Sequence, residues 1–341
     1  MSNIRTEIAE FMEKPNQLYD MAEKYVANKY NSSVFDNEEK EVAEVVNAWA
    51  KEIGETGADE GREIAEFVKK VITDSVENKP DALLSTMFDE GSIGEFDDYI
   101  VEKTPKNTLV AYDAAKGGTV DKSYIDHEIL KPTWKHNQVE TEIKYVDLRR
   151  NGYRTIANLS VMAKEALYNK KIKEVFAALD TAIVGGEQVF NVTGGASDIT
   201  KTVIDQLSLY CLDWAGDTDT PFMFGLNKYA QAIANMAGYT SFMSDTMKND
   251  YNRYGLVKEY GGMLIAGFSG ARKAADGELL VPDRRIFGVA GKIGTLTDRG
   301  ELRVLETPNN KREVIELKFT GYEYGINITN PEKVAKIAFT A

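Results

Sequence analysis

The side chains that most often carry chemistry are scarce in this chain of 341 residues, which has two histidines and one cysteine. His127 and His136 stand nine apart, a spacing that matches neither a metal-ligand pattern nor a general-base motif, and both read as surface histidines. His127-Glu128 begins like a zinc-peptidase signature, but the second histidine that would share its helical face is missing. Gly267-Phe268-Ser269-Gly270 approaches a nucleophile elbow, yet its glycine spacing is one residue short and no histidine follows to act as base. It reads as a loop after a buried strand. Phosphate chemistry has no better support: there is no Walker lysine motif and no Gly-x-Gly-x-x-Gly, and turns explain Gly194-Gly195 and Gly261-Gly262. Cys211, being alone, cannot form an internal disulfide and reads as a small buried apolar residue in a reducing environment. The sequence thus predicts no catalytic residue, no cofactor-binding residue and no metal ligand, and the chain reads as a non-enzyme.

Bulk properties narrow the class further. With 43% hydrophobic and 28% charged residues the composition is that of a soluble globular protein. No window is apolar for long enough to span a membrane, and the N-terminus, with Arg5, Glu7, Glu10 and Glu13, lacks the apolar core of a signal peptide. Without a secretory route, the Asn-x-Ser/Thr matches at Asn31, Asn158, Asn191 and Asn327 have no glycan to accept. The net charge of -13 is unevenly placed: residues 1 to 103 hold 25 acids against 11 bases, a net of -14, and the remaining 238 hold 29 against 30. An acidic block repels phosphates, which excludes sequence-reading of nucleic acid by this segment and suits a solvated helical face.

The elements that would position any site come in a definite order. Ile4, Ile8, Phe11 and Met12, then Leu18, Met21, Ala22, Tyr25 and Val26, predict two amphipathic helices separated at Pro15. Asp36 with Glu39 predicts a capping box opening a helix striped by Val42, Val45, Val46, Trp49 and Ile53 and broken at Gly54 and Gly57. Ile64 to Val76 predicts another helix, and Leu83, Leu84, Met87 and Phe88 a short last one before Gly91. From Gly94 the pattern turns extended: a strand over Thr108 to Tyr112, a flexible tip at Lys116-Gly117-Gly118, an interruption at Lys131-Pro132, then alternation through Val139, Thr141, Ile143 and Tyr145. This arm has too few apolar residues to bury against itself, and an isolated two-stranded ribbon is marginal in water, so it calls for a neighbouring copy.

After a turn at Asn151-Gly152, a helix is expected from about Leu159 to Ile183, with Tyr168, Ile172, Val175, Phe176, Leu179 and Ile183 on one face and Gly185-Gly186 as terminator. Residues 187 to 290 read as a compact α/β unit with helices over Asp198 to Trp214 and Asn227 to Ala237 and buried strands at Phe222 to Gly225 and Met263 to Ala266. Strands follow at Ile286 to Ala290, at Leu302 to Leu305 and along Ile315, Leu317 and Phe319, with Pro308-Asn309-Asn310 as a hairpin turn, and the chain closes on a strand from Val334 to Phe339.

The pieces Leu130-Lys131-Pro132, Glu142 to Leu148, the helix Ala163 to Gly186, Arg285-Ile286-Phe287-Gly288 and Gly321 to Ile326, in this order from Gly94 to the C-terminus, resemble the major capsid proteins of tailed bacteriophages with the Hong Kong 97 fold. The resemblance implies an α+β capsid fold divided into an acidic helical N-arm or scaffold-like region (1–93), an extended loop (94–140), a peripheral domain with its spine helix (141–186), an axial domain (187–290) and returning peripheral strands (291–341). It implies a head protein that self-assembles as pentamers and hexamers into an icosahedral virion shell around double-stranded DNA, without sequence-specific recognition, in the host cytoplasm. Portal, decoration, and scaffold or protease proteins would be partners, and no membrane would be involved.

Some relatives cross-link an extended-loop lysine to a peripheral-domain asparagine, for which Lys116 or Lys122 and Asn309 or Asn310 lie in the corresponding regions. Many relatives also shed a helical N-terminal segment; residues 1 to 103 are the candidate here, with the expectation that they are retained and ordered. Two alternatives stay open: an encapsulin-type compartment, which shares the fold but encloses an enzyme, and a soluble enzyme with chemistry of another kind.

Overall fold

The computed structural model describes residues 2–13, 15–57, 61–78, 82–102, 109–111, 113, 123, 125, 128–183, 185–216, 219–236, 244–246, 248–249, 258–270, 277–309 and 311–340. Among them the helices are α1 (Ser2–Met12), α2 (Pro15–Ala27), α3 (Asn37–Thr56), α4 (Gly61–Asn78), α5 (Ala82–Met87), α6 (Tyr145–Asn151), α7 (Tyr153–Ala182), α8 (Lys201–Ala215) and α9 (Asn227–Ala234). The strands are β1 (Phe88–Ile93), β2 (Val101–Glu102), β3 (Ile129–Leu130), β4 (Trp134–Lys144), β5 (Val189–Thr193), β6 (Phe222–Leu226), β7 (Glu259–Tyr260), β8 (Met263–Phe268), β9 (Arg285–Val289), β10 (Gly294–Arg299), β11 (Arg303–Asn309), β12 (Val314–Ile328) and β13 (Val334–Thr340). The chain divides into two compact units, and α7 and β12 each contribute residues to both.

The first unit comprises residues 1–82, 135–171 and 299–323. Helix α3 starts where the sequence places it. Asp36 accepts from the Glu39 backbone N–H at 2.8 Å while Glu39 accepts from the Asp36 N–H at 3.0 Å, a complete capping box at the head of α3. On the inward stripe Val46, Trp49 and Ile53 are buried, Trp49 tilted on Phe67 of α4 with ring centroids 5.4 Å apart. Gly54, expected to break this helix, lies inside it, and Gly57 (φ +90°) is the residue that ends it. The reason is a close crossing: a Cβ at Gly54 would sit 2.8 Å from Arg149 Cγ and 2.9 Å from its backbone nitrogen, so the bare Cα is where α6 packs.

Helix α6 itself replaces the end of the expected strand, since Tyr145 continues the buried parity of β4 but already belongs to the helix. Beyond Gly152 (φ +48°), Asn47 of α3 accepts from the Tyr153 N–H at 3.3 Å, so α7 begins six residues earlier than its apolar stripe suggested. At 30 residues it is about 45 Å long. Burial, with the neighbouring Tyr25 phenol adding to it, pushes the Tyr153 phenol far above its ordinary value, and it stays neutral in the core. β11 and β12 form an antiparallel hairpin in register from Arg303↔Thr320 to Asn309↔Val314. Pro308 and Asn309, expected in the turn, are therefore strand residues; the described turn residues are 311–313, where Glu313 takes φ +53°, and Asn310 lies outside the described residues. The alternation of Ile315, Leu317 and Phe319 holds, all three fully buried.

The second unit comprises residues 83–134, 172–298 and 324–341. Its six-stranded sheet has the order β5-β13-β9-β6-β8-β7. β13 pairs parallel with β5 and antiparallel with β9, and β6 pairs antiparallel with β9 and parallel with β8. The last strand, expected among strands returning to the long helix, thus lies inside this sheet. Its nearly unbroken buried run from Val334 to Phe339 is what a strand covered on both faces requires. From α7, Phe176 packs on Phe224, Phe268 and Phe287 at 5.4, 5.9 and 6.3 Å. Lys336 joins Asp180 of the same helix in an ion pair.

Phe88, expected in the short helix, instead starts β1, which neighbours β10. The Lys292 ammonium donates to the Ser85 and Phe88 carbonyls at 2.7 and 2.6 Å and thereby stops α5. β5 and β10 were not foreseen, being short and flanked by glycines. Cys211 packs in this core as expected: it is 0% exposed, burial pushes its thiol up to about 12, and a Cβ on Gly288 would lie 2.7 Å from its sulfur.

Two carboxylates clasp this unit. Burial alone would raise Asp205, but hydrogen bonds from Lys201 and from the Tyr260 hydroxyl, both at 2.6 Å, outweigh it and hold the carboxyl below its usual range. Asp283 is likewise held low against burial by Lys228 at 2.6 Å and by the Tyr229 hydroxyl and the Arg284 N–H at 2.8 Å. A depressed carboxylate contributes stability that is present above its unfolded value of about 4 and lost as pH falls through the folded one. The melting temperature is therefore expected to decline below about pH 4, and Asp205→Asn should make that decline shallower. An unchanged acid limb in the variant would refute the clasp.

Candidate assembly surface

Where the arm leaves the second unit, the Gly94 N–H donates to Asp97 Oδ2 at 2.9 Å and the Asp97 N–H to the Gly94 carbonyl at 3.2 Å. This tight turn leaves Phe96 projecting, at 89% exposure. Among the described residues the arm is then closed by one short ladder, β2 with β3, whose register is Val101↔Leu130 and Glu102↔Ile129. Two residue pairs cannot hold a ribbon alone in water. Its root is seated firmly: Gly325 of β12 approaches Pro132 and Trp134 so closely that a Cβ there would lie 3.1 and 3.2 Å from their side chains. Tyr99 packs against Trp134 with ring centroids 6.4 Å apart.

Beyond this root the apolar side chains are left in solvent. Phe96, Ile100, Leu109, Val110, Ile125 and Ile129 are all exposed, and of the apolar residues described between Gly94 and Leu130 only Val101 is buried. Single exposed apolar residues are ordinary; six on one arm mark a contact surface. Covering the part of each that is still exposed contributes about 1 kcal/mol or more, so the arm gains from a partner what its own fold does not supply. The pair Phe96→Ser and Ile100→Ser is expected to leave the melting temperature of the isolated subunit within about 2 °C and to raise the concentration needed for self-association at least tenfold. Unchanged self-association by sedimentation would exclude the Phe96–Ile100 stretch from the contact.

A second apolar face lies on α8. Ile204, Leu207 and Cys211 point into the core, while Leu209, Leu212 and Trp214 are exposed together with Leu264 of β8. A helix with apolar residues on both faces reads from sequence as simply buried, so its outer face was not foreseen. The signal available was Leu209 and Leu212, one helical turn apart and out of phase with the inward stripe.

Among the described residues, those singled out for chemistry are not brought together. His136 sits on β4 with Gln138 Nε2 at 2.6 Å and Thr320 Oγ1 at 3.3 Å from its Nε2, and Glu323 Oε1 at 3.3 Å from its Nδ1, a partnered histidine on the face of a sheet. Ser269 follows β8 in a loop. Asn309 donates to Glu316 at 3.3 Å and accepts from the Arg312 N–H at 3.3 Å. His127, Lys116, Lys122 and Asn310 lie outside the described residues, as do both ends of the predicted strand Thr108 to Tyr112, whose described residues Leu109, Val110 and Ala111 form no strand. Among the described residues no three His, Cys, Asp or Glu side chains gather to hold a metal, and no helix is long and apolar enough to cross a membrane.

No protein-family model matches the chain and no curated protein is detectably similar in sequence. Solved structures are similar in fold. The mature capsid of bacteriophage PhiM1 matches with a TM-score of 0.51 at 10% identity, over 74% of this chain and 85% of that one. The capsid structure of cyanophage P-SCSP1u matches with a TM-score of 0.52 at 12% identity, over 78% of this chain and 94% of that one. A structure from Mycobacterium phage Bobi matches with a TM-score of 0.50 at 11% identity, over 77% of this chain and 91% of that one. The chain therefore has the α+β fold of Hong Kong 97-like phage capsids.

Proposed function

We propose that this chain is a major capsid protein of a tailed bacteriophage, a structural protein without enzymatic activity that tiles the virion shell as pentamers and hexamers around double-stranded DNA. The observation that carries the proposal is the arm: a capsid fold whose extended loop keeps six apolar side chains in solvent is a subunit awaiting its neighbours. In this reading residues 1–93 are the N-arm region, 94–140 the extended loop, 141–186 the peripheral domain with its spine helix, 187–290 the axial domain and 291–341 the returning strands, of which the last, β13, joins the six-stranded sheet. Portal, decoration, and scaffold or protease proteins are its partners in the host cytoplasm.

Produced together with its phage partners, the protein should sediment as very large closed particles, visible by electron microscopy and holding nuclease-protected DNA. A monomer that persists at high concentration under those conditions would end the proposal. Closed particles that enclose protein and no DNA would move the assignment to an encapsulin-type compartment.

A further inference from the structure

We infer that the acidic helices α1–α4 are a permanent layer of the subunit's core, built into the first unit and not shed when a shell matures. The word "matures" rests on the shell reading proposed above; the packing does not. A detachable segment leaves a closed core behind it, whereas here one hydrophobic cluster is shared. Trp49, Ile53 and Phe67 from the N-terminal helices lie in the same buried cluster as Leu148 of α6, Tyr153 of α7 and Phe319 of β12. Leu148 and Phe319 are 0% exposed, so removing the helices would open a wide apolar face on what remains.

The join is also interlocked in both directions. Gly54 makes room for α6, since a Cβ there would lie 2.8 Å from Arg149 Cγ, and Asn47 caps α7 across Gly152, where a Cβ would collide with the Asn47 side-chain oxygen. Further along, the Tyr30 hydroxyl donates to Asn158 at 2.9 Å, the Tyr25 and Tyr153 rings meet at 5.2 Å, and Arg154 and Lys164 of α7 stand over the rings of Tyr30 and Tyr19 at 3.8 and 4.0 Å. These are core contacts and helix caps, which a cleavage product could not leave without unfolding its host. The charge agrees: the acids are the solvent side of a layer whose other side is core. The capsids of PhiM1 and P-SCSP1u use 85% and 94% of their own length yet reach only 74% and 78% of this chain, which therefore carries structure beyond the fold it shares with them.

The test introduces a site for a sequence-specific protease within residues 103–108 of the full chain and cleaves the native protein. The two fragments should co-elute by size exclusion, and amides of 42–53 should exchange within about tenfold of those of 153–171. Particles assembled with the phage partners should contain subunits of full N-terminal length. Release of the N-terminal fragment without denaturant, exchange in 42–53 at least about a hundredfold faster, or particles built from subunits that begin beyond residue 82 would each overturn the inference. If no particles form, the shell reading fails, and the fragment and exchange measurements still decide this one.

Discussion

Replacing residues 103–128 with a short Gly-Ser linker is expected to leave a folded, soluble subunit and to abolish closed shells. The cut respects the structure. It spares the β2–β3 ladder and the root at Pro132, Trp134 and Gly325, and it spares β4, which pairs with β12. What it removes includes Leu109, Val110 and Ile125, which are exposed in the single chain and therefore contribute little to its stability. They are 47–56% exposed, so covering the rest against a neighbouring copy contributes roughly half of the ~1.5–3 kcal/mol of full burial, and every subunit contact loses about 2–4 kcal/mol. In a lattice each subunit is held by several contacts at once, and the loss compounds with their number. The melting temperature of the subunit should change by less than about 3 °C, while sedimentation and electron microscopy should find no closed particles. Normal particles from the linker variant would mean that the arm is not the intersubunit element.

The second large effect lies in the first unit. Trp49→Ala should cost about 3–5 kcal/mol, the range for truncating a fully buried large aromatic residue. Trp49 is 2% exposed, packs on Phe67, and its indole N–H donates to Glu63 at 3.2 Å, so the variant loses buried contact area and a hydrogen bond together. Trp214, 42% exposed on α8, is the internal control, and Trp214→Ala should cost under about 1 kcal/mol. Denaturant unfolding followed by far-ultraviolet circular dichroism measures both. Equal costs for the two tryptophans would contradict a core centred on Trp49.

Much of this was readable in advance, and the exceptions have physical causes. The capping box at Asp36, the stripe of α3 and the alternation of Ile315, Leu317 and Phe319 are local patterns, and each appears as written. Misread elements were decided by distant residues. Gly54 lies where Arg149 needs the space, α5 stops at Met87 where Lys292 binds the Ser85 and Phe88 carbonyls on either side of its end, and Tyr145 turns helical although it keeps the parity of the strand before it. The arm was recognisable as a segment unable to complete itself. Which of its side chains stay wet was not, since exposure depends on what fails to cover Phe96 and Ile100, and no periodicity records that.

The first unit gathers residues 1–82, 135–171 and 299–323, and this discontinuity sets a clock on the ribosome. The N-terminal helices emerge first, yet the strand residues Ile315, Leu317 and Phe319 that complete their core are made hundreds of positions later. At roughly 5–20 residues per second the nascent helices wait tens of seconds with their apolar stripes uncovered, a window in which chaperones compete with aggregation. Pairings of such long sequence separation also fold slowly once complete. On the shell reading proposed above, a nascent chain that lacks residues 299–323 has no complete first unit to offer a neighbour.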